Sequence, residues 1–596
     1  MFIFEKFIDK YKSALAFSIV IIIAVATLVP LFSHPYFTMH DDQHVARLYL
    51  LDQAINQGTL YPRWVDQLGF GFGYPLFNFY PPLTYYIAEI FRSLSIGYIT
   101  SIKLMLLTAT LIGTIGSFSF LKKIYGTLSA LVGTMLFTFF SYRAITLYVR
   151  GAFAEYLALS FVPWILLSLY NLYRTPSLKN ALITGLFMAL LVLAHPFIAI
   201  PGVFVIVSFA GLLYFLTQRN NRQLFLTKSL ISGAFGLALS AFFWLPSMVE
   251  RSYTLVDTIL LNELAKYAIH FVQPQQLWYS PWGFGGSVEG LGDGLSFQIN
   301  KPYIGMVFLT TLLWLWFYRT QKSKHIEKNI RLISGYFLFM LIASVFLMLP
   351  YSMFIWDSIS YLQYLQFPWR LMAFVGLFIS FFSASFIYLL TKTIRLSALN
   401  TDRLRFGIAA FVFFMVFVVQ QKYFKPQQFI ETSDATRTNF KEIAWRISST
   451  SFEFVPKGVR TKKTAYNTTT LDIEEKDIAD RTHKVINGAP TVDILAKQFD
   501  YKRFSSDSNT PYTLQINTYN FPGWTGYIDG KEAVIHDNND FKLIQINVPM
   551  GRHIVEVKLT KTPIQKVATA VSLIAWLYLV SALYLSLGSG QKPKKV

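Results

Sequence analysis

Apolar residues are gathered into long blocks, and the polar and unusual residues fall between them in two different kinds of loop. A helix crossing a bilayer core needs about 20 mostly apolar residues. Twelve stretches approach that length, beginning at Ala14, Ile99, Leu128, Tyr156, Ala181, Phe197, Ser229, Tyr303, Leu332, Leu371, Phe406 and Val567. The third to sixth are short or closely spaced, which leaves the count open by one or two.

Lys and Arg in short loops are retained on the cytoplasmic side of a membrane. Here they precede the first stretch (Lys6, Lys10, Lys12) and follow the even-numbered ones: Lys122 and Lys123; Arg174 and Lys179; Arg219, Arg222 and Lys228; Arg319, Lys322, Lys324, Lys328 and Arg331; Lys392, Arg395, Arg403 and Arg405; and finally Lys592, Lys594 and Lys595. The alternation predicts a plasma-membrane protein of about twelve transmembrane helices with both termini cytoplasmic. The loops also account for the net charge of +20. No basic stretch is interleaved with aromatics as single-strand binders require, so a nucleic-acid partner is not expected. The first stretch lacks a small-residue cleavage site and is expected to stay as an anchor. The absence of cysteine excludes disulfides and thiolate metal sites.

This topology puts several segments on the non-cytoplasmic side: loops 34–98 and 249–301, a short loop near Arg150, an aromatic loop from Tyr351 to Arg370, and a soluble stretch at about 422–563. The division expected is a membrane domain over 1–421, a β-rich domain over 422–563, and a last helix with a basic tail over 564–596. Alternating runs such as YTLQINTYN, KLIQINVP and HIVEVKLT, with turns at Asp529-Gly530 and Met550-Gly551, predict a small β-sandwich.

The candidate chemistry lies at the non-cytoplasmic ends. HDDQHVAR (40–47) precedes an apolar run at helical spacing that stops at Gly58, predicting a helix along the membrane surface. Asp41 and Asp42 suit the N-cap of that helix. They equally suit a divalent cation such as Mg or Mn, or a general base. His44 can ligate, relay a proton or sit at the interface. Arg63 is a phosphate contact or an interfacial anchor. Gly69, Gly71 and Gly73 lack the Lys-Ser/Thr of a nucleotide loop. Glu155, at a helix entrance beside Arg150, is a functional candidate by its cost in a membrane, or a salt-bridge partner. His195 before Pro196 is a helix-end residue or a ligand. Arg370 and Trp369 could hold a lipid phosphate and anchor at the headgroups. Loop 273–302, with its Trp, Tyr and Gly and with Glu289 and Asp293, has the composition of a sugar platform or of an ordinary ordered loop.

Together HDDQHVARL, PRWVDQLGFGFGYPLFNFYPPLTYY, YVRGAFAEYLAL, LAHPF, QFPWR and FPGWTGYIDGKE resemble the bacterial 6-pyruvoyl-tetrahydropterin synthase-related and YfhO-like multi-pass membrane proteins, which are similar to GT-C glycosyltransferases. No His cluster of zinc-ligand spacing accompanies the resemblance, so pterin chemistry is not expected. The resemblance implies a GT-C-like membrane fold that transfers sugar from a polyprenyl-phosphate donor, acting as co-substrate, to a glycan, lipid or protein acceptor. It also implies a catalytic carboxylate in the first outer loop, at Asp41 or Asp42, with Arg residues neutralising the phosphate. The adjacent acids do not form Asp-X-Asp, which leaves a metal open. The competing classes are a lipid or polysaccharide exporter, whose relay acids should lie mid-membrane, and a non-catalytic envelope-assembly protein.

Overall fold

The computed structural model describes residues 2–588 apart from 264, 293, 321–325, 394–397 and 466. Asp293, Lys322, Lys324, Arg395 and the three C-terminal lysines therefore lie outside the described residues.

Most of the chain is helical, because its apolar blocks are rich in Leu, Ile and Phe, and a backbone in lipid must satisfy its own hydrogen bonds. Among the described residues, eight helices are long and apolar enough to cross a membrane. Thr127–Thr138 and Ser141–Val149, bent by 46°, make a ninth if counted as one span. Ala14–Ala26 and Leu178–Ala194 are apolar but shorter. His195 closes one helix and caps the next, with Pro196 in the first turn, where its missing N–H costs nothing. Helices Leu178–Ala194 and Arg222–Glu250 approach closely through Gly185 and Gly236: a Cβ on Gly185 would meet the Ser232 carbonyl at 2.8 Å.

The first loop is not draped on a surface. Its helix, His44–Asn56, is buried on nearly every side, including His44, Arg47, Leu48, Leu51 and Asp52. Its N-cap is Gln43, with no side-chain cap, so neither Asp41 nor Asp42 does the capping that the sequence allowed. Gly58 follows its end at φ 92°, a left-handed conformation that suits glycine. Tyr36–Phe37 pairs antiparallel with Phe429–Ile430, tying this loop to the chain beyond the helix Ala398–Gln420.

Two antiparallel sheets form between 483 and 559. One has five strands in the order Lys531–Ala533, Trp524–Ile528, Gly551–Leu559, Tyr501–Ser508, Thr491–Lys497; the other has three, Leu543–Val548, Tyr512–Tyr519, His483–Asn487. Phe504, Val555 and Val557 of the first and Leu514, Ile516, Ile544 and Ile546 of the second are buried in one apolar cluster. Asp529-Gly530 is the expected hairpin turn, with φ positive at both residues, as a two-residue turn of matching twist requires. Met550-Gly551 is instead a crossing between sheets, since 543–548 pairs with 512–519 while 551–559 pairs with 501–508.

The glycines at 69, 71 and 73 are explained by this docking. Phe70 and Phe72 accept backbone hydrogen bonds from Ala479 and Tyr519 at 3.0 Å each. A Cβ on Gly73 would meet the Trp64 indole at 2.4 Å. The loop is a packing seam between the helices and the sheets.

Candidate functional site

The site begins with backbone pairing. The amides of His40 and Asp41 donate to the carbonyls of Val149 (3.1 Å) and Arg150 (2.8 Å), laying the first loop against the break after the bent pair. His44 secures the same break. Its Nε2 lies 2.6 Å from the Gly151 carbonyl, which can only accept, so Nε2 carries the proton. Nδ1 then accepts from Tyr85 Oη at 3.1 Å, and the ring stacks on Phe153. Burial first, and Arg47 second, push its pKa down to about 3. Both nitrogens are engaged, so His44 positions the loop and is not free for the substrate role expected of it.

The adjacent aspartates part company. Asp42 accepts from Tyr36 Oη at 2.7 Å and is bracketed by Arg437 (2.7 Å) and Arg446 (3.2 Å). Glu442 joins both arginines, at 3.3 and 2.5 Å, so the cluster balances its own charge. Asp41 is exposed, and only its backbone is held. Its charge acts on Arg150, Arg370, Tyr80, Tyr85 and Glu453. At the pair left open to a cation, Asp42 is engaged by Tyr36, Arg437 and Arg446, and among the described residues no group of three or more His, Asp or Glu is placed to hold a metal.

Glu155 is fully buried. It accepts from Tyr142 Oη (2.7 Å) and Arg150 Nη1 (2.8 Å), with Arg370 Nε at 3.4 Å. Arg150 lies over the Trp369 ring, 4.7 Å from its centroid, and Arg370 is held by the Leu365 carbonyl and the Gln366 amide oxygen. Trp369 donates to Ser287 Oγ at 3.0 Å, which draws loop 249–301 over the cluster. His195 Nδ1 accepts from the Ile198 amide at 3.2 Å, the helix-end role, while its ring stays within electrostatic range of Glu155, Arg150 and Arg370. One carboxylate against two guanidiniums leaves a surplus positive charge. A single buried carboxylate thus orients two arginines that water alone would leave mobile.

Arg63 lies elsewhere. Its terminal nitrogens donate to Asn78 Oδ1 (2.8 Å) and the Phe242 carbonyl (2.7 Å). Asn78 continues to the buried Glu250, which Thr562 and Gln565 also hold at the start of the last helix. Both terminal nitrogens of Arg63 are thus engaged inside the protein, while its Nε is buried without a partner.

Sequence reasoning missed Arg437 and Arg446, whose spacing around Glu442 was the available signal, and also Arg47 and Glu453. Arg47 donates to Gln43 and to Ser451 Oγ (3.0 Å) and lies 4.0 Å from the centroid of the Tyr80 ring. Ser451 Oγ lies 3.3 Å from both Glu453 oxygens. Burial raises the Glu453 pKa from its ordinary value, and Arg47 and the Ser451 hydroxyl oppose the rise. Loop 273–302 does two things: Trp282 packs on Tyr423, whereas Trp278 and Tyr279 are exposed.

Residues 77–419 match the family described as "6-pyruvoyl-tetrahydropterin synthase related domain; membrane protein". No curated protein matches the chain. The match covers more than half of the sequence, and the protein belongs to this family of membrane proteins.

Proposed function

We propose that this member of the 6-pyruvoyl-tetrahydropterin synthase related family is a membrane glycosyltransferase. In this reading it moves a sugar from a polyprenyl-phosphate donor to an acceptor at the non-cytoplasmic face of the plasma membrane. The observation that carries it is the exposed Asp41 carboxylate, fixed by its backbone beside the Arg150–Arg370–Glu155 cluster with its surplus positive charge. A general base needs a reachable carboxylate, and a departing lipid phosphate needs preorganised cations.

Asp41 takes the acceptor proton as the acceptor oxygen bonds to the sugar's anomeric carbon. The bond from that carbon to the phosphate oxygen breaks, and Arg150 and Arg370 neutralise the charge that develops. Glu155 orients the arginines, and Asp42 stays outside the reaction as part of a clamp. The sidedness rests on the alternation of basic loops. A twelve-crossing topology additionally counts Ala14–Ala26, Leu178–Ala194, the bent pair and Lys301–Arg319 as spans, with the two facing sheets forming a sandwich before the last one. The ion pairs of Glu155 with Arg150 and Arg370 favour an enzyme over an exporter, whose relay acid must change protonation during transport.

Membranes containing wild type or Asp41→Asn, incubated with a panel of radiolabelled polyprenyl-phosphate hexoses, test the reading. Wild type should transfer label to an acceptor and the variant should lose at least about 100-fold in rate. Equal rates overturn it.

A further inference from the structure

A cavity of about 570 Å³ opens beside the Asp42 clamp, lined by Thr436, Asn439, Lys441, Glu442, Trp445 and Arg446. Its volume falls in the range of about 300–1,000 Å³ that holds a small organic ligand. The wall is fixed on three sides. The Asp434 carboxylate accepts from the Tyr98 and Ile99 amides at 2.7 and 2.9 Å, which caps the helix Tyr98–Tyr125. Arg437 and Arg446 reach Asp42 of the first loop, and Lys441 pairs with Glu475. Between these anchors Glu442–Ile447 is π-helical, a rare form that recurs at functional sites.

The charges around the cavity cancel. Arg437, Lys441 and Arg446 face Asp42, Glu442 and Glu475, so an anionic ligand would find no surplus cation there, whereas a neutral one gives up nothing. What remains to meet a ligand is an indole, an amide and a hydroxyl. Trp445 is half-buried against Phe70, with ring centroids 5.8 Å apart and planes inclined at 62°, and the rest of its ring belongs to the cavity wall. Asn439 Oδ1 accepts from the Lys441 amide at 2.9 Å, and among the described residues its two amide donors have no partner. The Thr436 hydroxyl lies 3.1 Å from Ser433 Oγ and keeps capacity for a further hydrogen bond. A molecule with an apolar C–H face and hydroxyls around its edge fits this set, which is the chemistry of a sugar ring.

We propose that this cavity is the acceptor subsite and that the acceptor is a neutral glycan, one of whose rings stacks on Trp445 while its hydroxyls bond Asn439 and Thr436. The inference rests on the glycosyl-transfer reading and deepens it. Arg446 lines the cavity and pairs with Asp42 at 3.2 Å, and the residue before Asp42 is the base Asp41, one Cα step of about 3.8 Å away. A glycan seated here lies alongside the loop that carries the base. The segment lies outside the matched residues 77–419, so acceptor choice belongs to the chain beyond the family domain.

The test uses full-length protein in detergent and reads binding apart from turnover. Short oligosaccharides of glucose, galactose, mannose and N-acetylglucosamine serve as probes, followed by saturation-transfer nuclear magnetic resonance and titration. Wild type should bind at least one of them, and Trp445→Ala should weaken that binding at least about tenfold. Asn439→Asp, on an exposed position, keeps the oxygen that holds the Lys441 amide and removes the donors, and should weaken it about fivefold. No binding by wild type, or wild-type affinity in both variants, overturns the proposal. In transfer assays with radiolabelled polyprenyl-phosphate hexoses, both variants should raise KM for the bound oligosaccharide by those factors while kcat and the donor KM stay at wild-type values. A fall in kcat at unchanged acceptor KM overturns it as well. Binding that depends on Trp445 and Asn439, in a protein that transfers none of the hexoses, sinks the transferase reading and leaves the glycan cavity standing. Transfer in a protein that binds none of the oligosaccharides sinks the cavity alone.

Discussion

Two clusters in this protein are made of the same parts: a carboxylate accepting from one tyrosine hydroxyl and facing two guanidiniums. Glu155 is inaccessible, with Tyr142, Arg150 and Arg370 around it. Asp42 retains 17% of its side-chain exposure, with Tyr36, Arg437 and Arg446 around it, the last 41% exposed. What separates them is charge balance and solvent. The Asp42 cluster has Glu442 as a second acid and closes on itself, which makes it a clamp between the first loop and the C-terminal region. The Glu155 cluster has no second acid of its own, and the exposed Asp41 lies near its surplus charge. A closed network holds structure together, whereas an open one can receive an anion.

The comparison breaks most sharply at Glu155. Removing it in Glu155→Ala leaves two buried guanidiniums facing each other and should cost about 3–5 kcal/mol, read as a fall in thermal unfolding temperature in detergent. A loss as small as that of a surface pair would place Arg150 and Arg370 in water. Asp41→Asn should separate function from stability: transfer drops at least about 100-fold, while stability stays within about 0.5 kcal/mol of wild type.

Asp42→Asn should cost about 1 kcal/mol, since solvent screens the pair and Glu442 remains. Amide exchange should quicken over residues 434–450 and stay unchanged in the membrane helices. Uniform quickening would contradict a local clamp.

The smallest effect belongs to a third pair, His553–Asp529, at 2.6 Å between the central strand of the five-stranded sheet and the Asp529-Gly530 turn. The Asp529 hydrogen bond raises the His553 pKa above 6.5, so that contribution is full at low pH and is lost as pH rises through the raised value. The Ile554 amide and His553 lower the Asp529 pKa below 3.8, so its contribution is lost as pH falls through the depressed value. The pair should stabilise most between those limits, by no more than about 0.5 kcal/mol after solvent screening. His553→Gln should flatten that pH dependence in chemical unfolding.

Much of the candidate site was legible in residue types. An acid at a helix entrance, an Arg five residues before it and another opening the helix at 372 are costly in a membrane, and Glu155, Arg150 and Arg370 do converge. Asp41 and Asp42 stand out equally in the sequence, yet one is spent in a clamp. Arg63 and His44 carried the right chemistry and were consumed by Asn78, Phe242, Gly151 and Tyr85. Arg47 and Glu453 were invisible because the two segments that carry them meet across some 400 residues of chain, through Arg47 and Ser451.

Sequence alone determined what depends on local cost. Apolar blocks became helices because a backbone in lipid must bond to itself; alternating runs became strands; and Asp-Gly became a hairpin turn because its φ values are positive. Tertiary structure alone decided which charges cancel. The energy of an ion pair depends on distance and burial, and neither is written in the order of residues. Asp41 and Asp42 share sequence position and chemistry, and only the folded arrangement of Arg437, Arg446 and Glu442 around one of them leaves the other free.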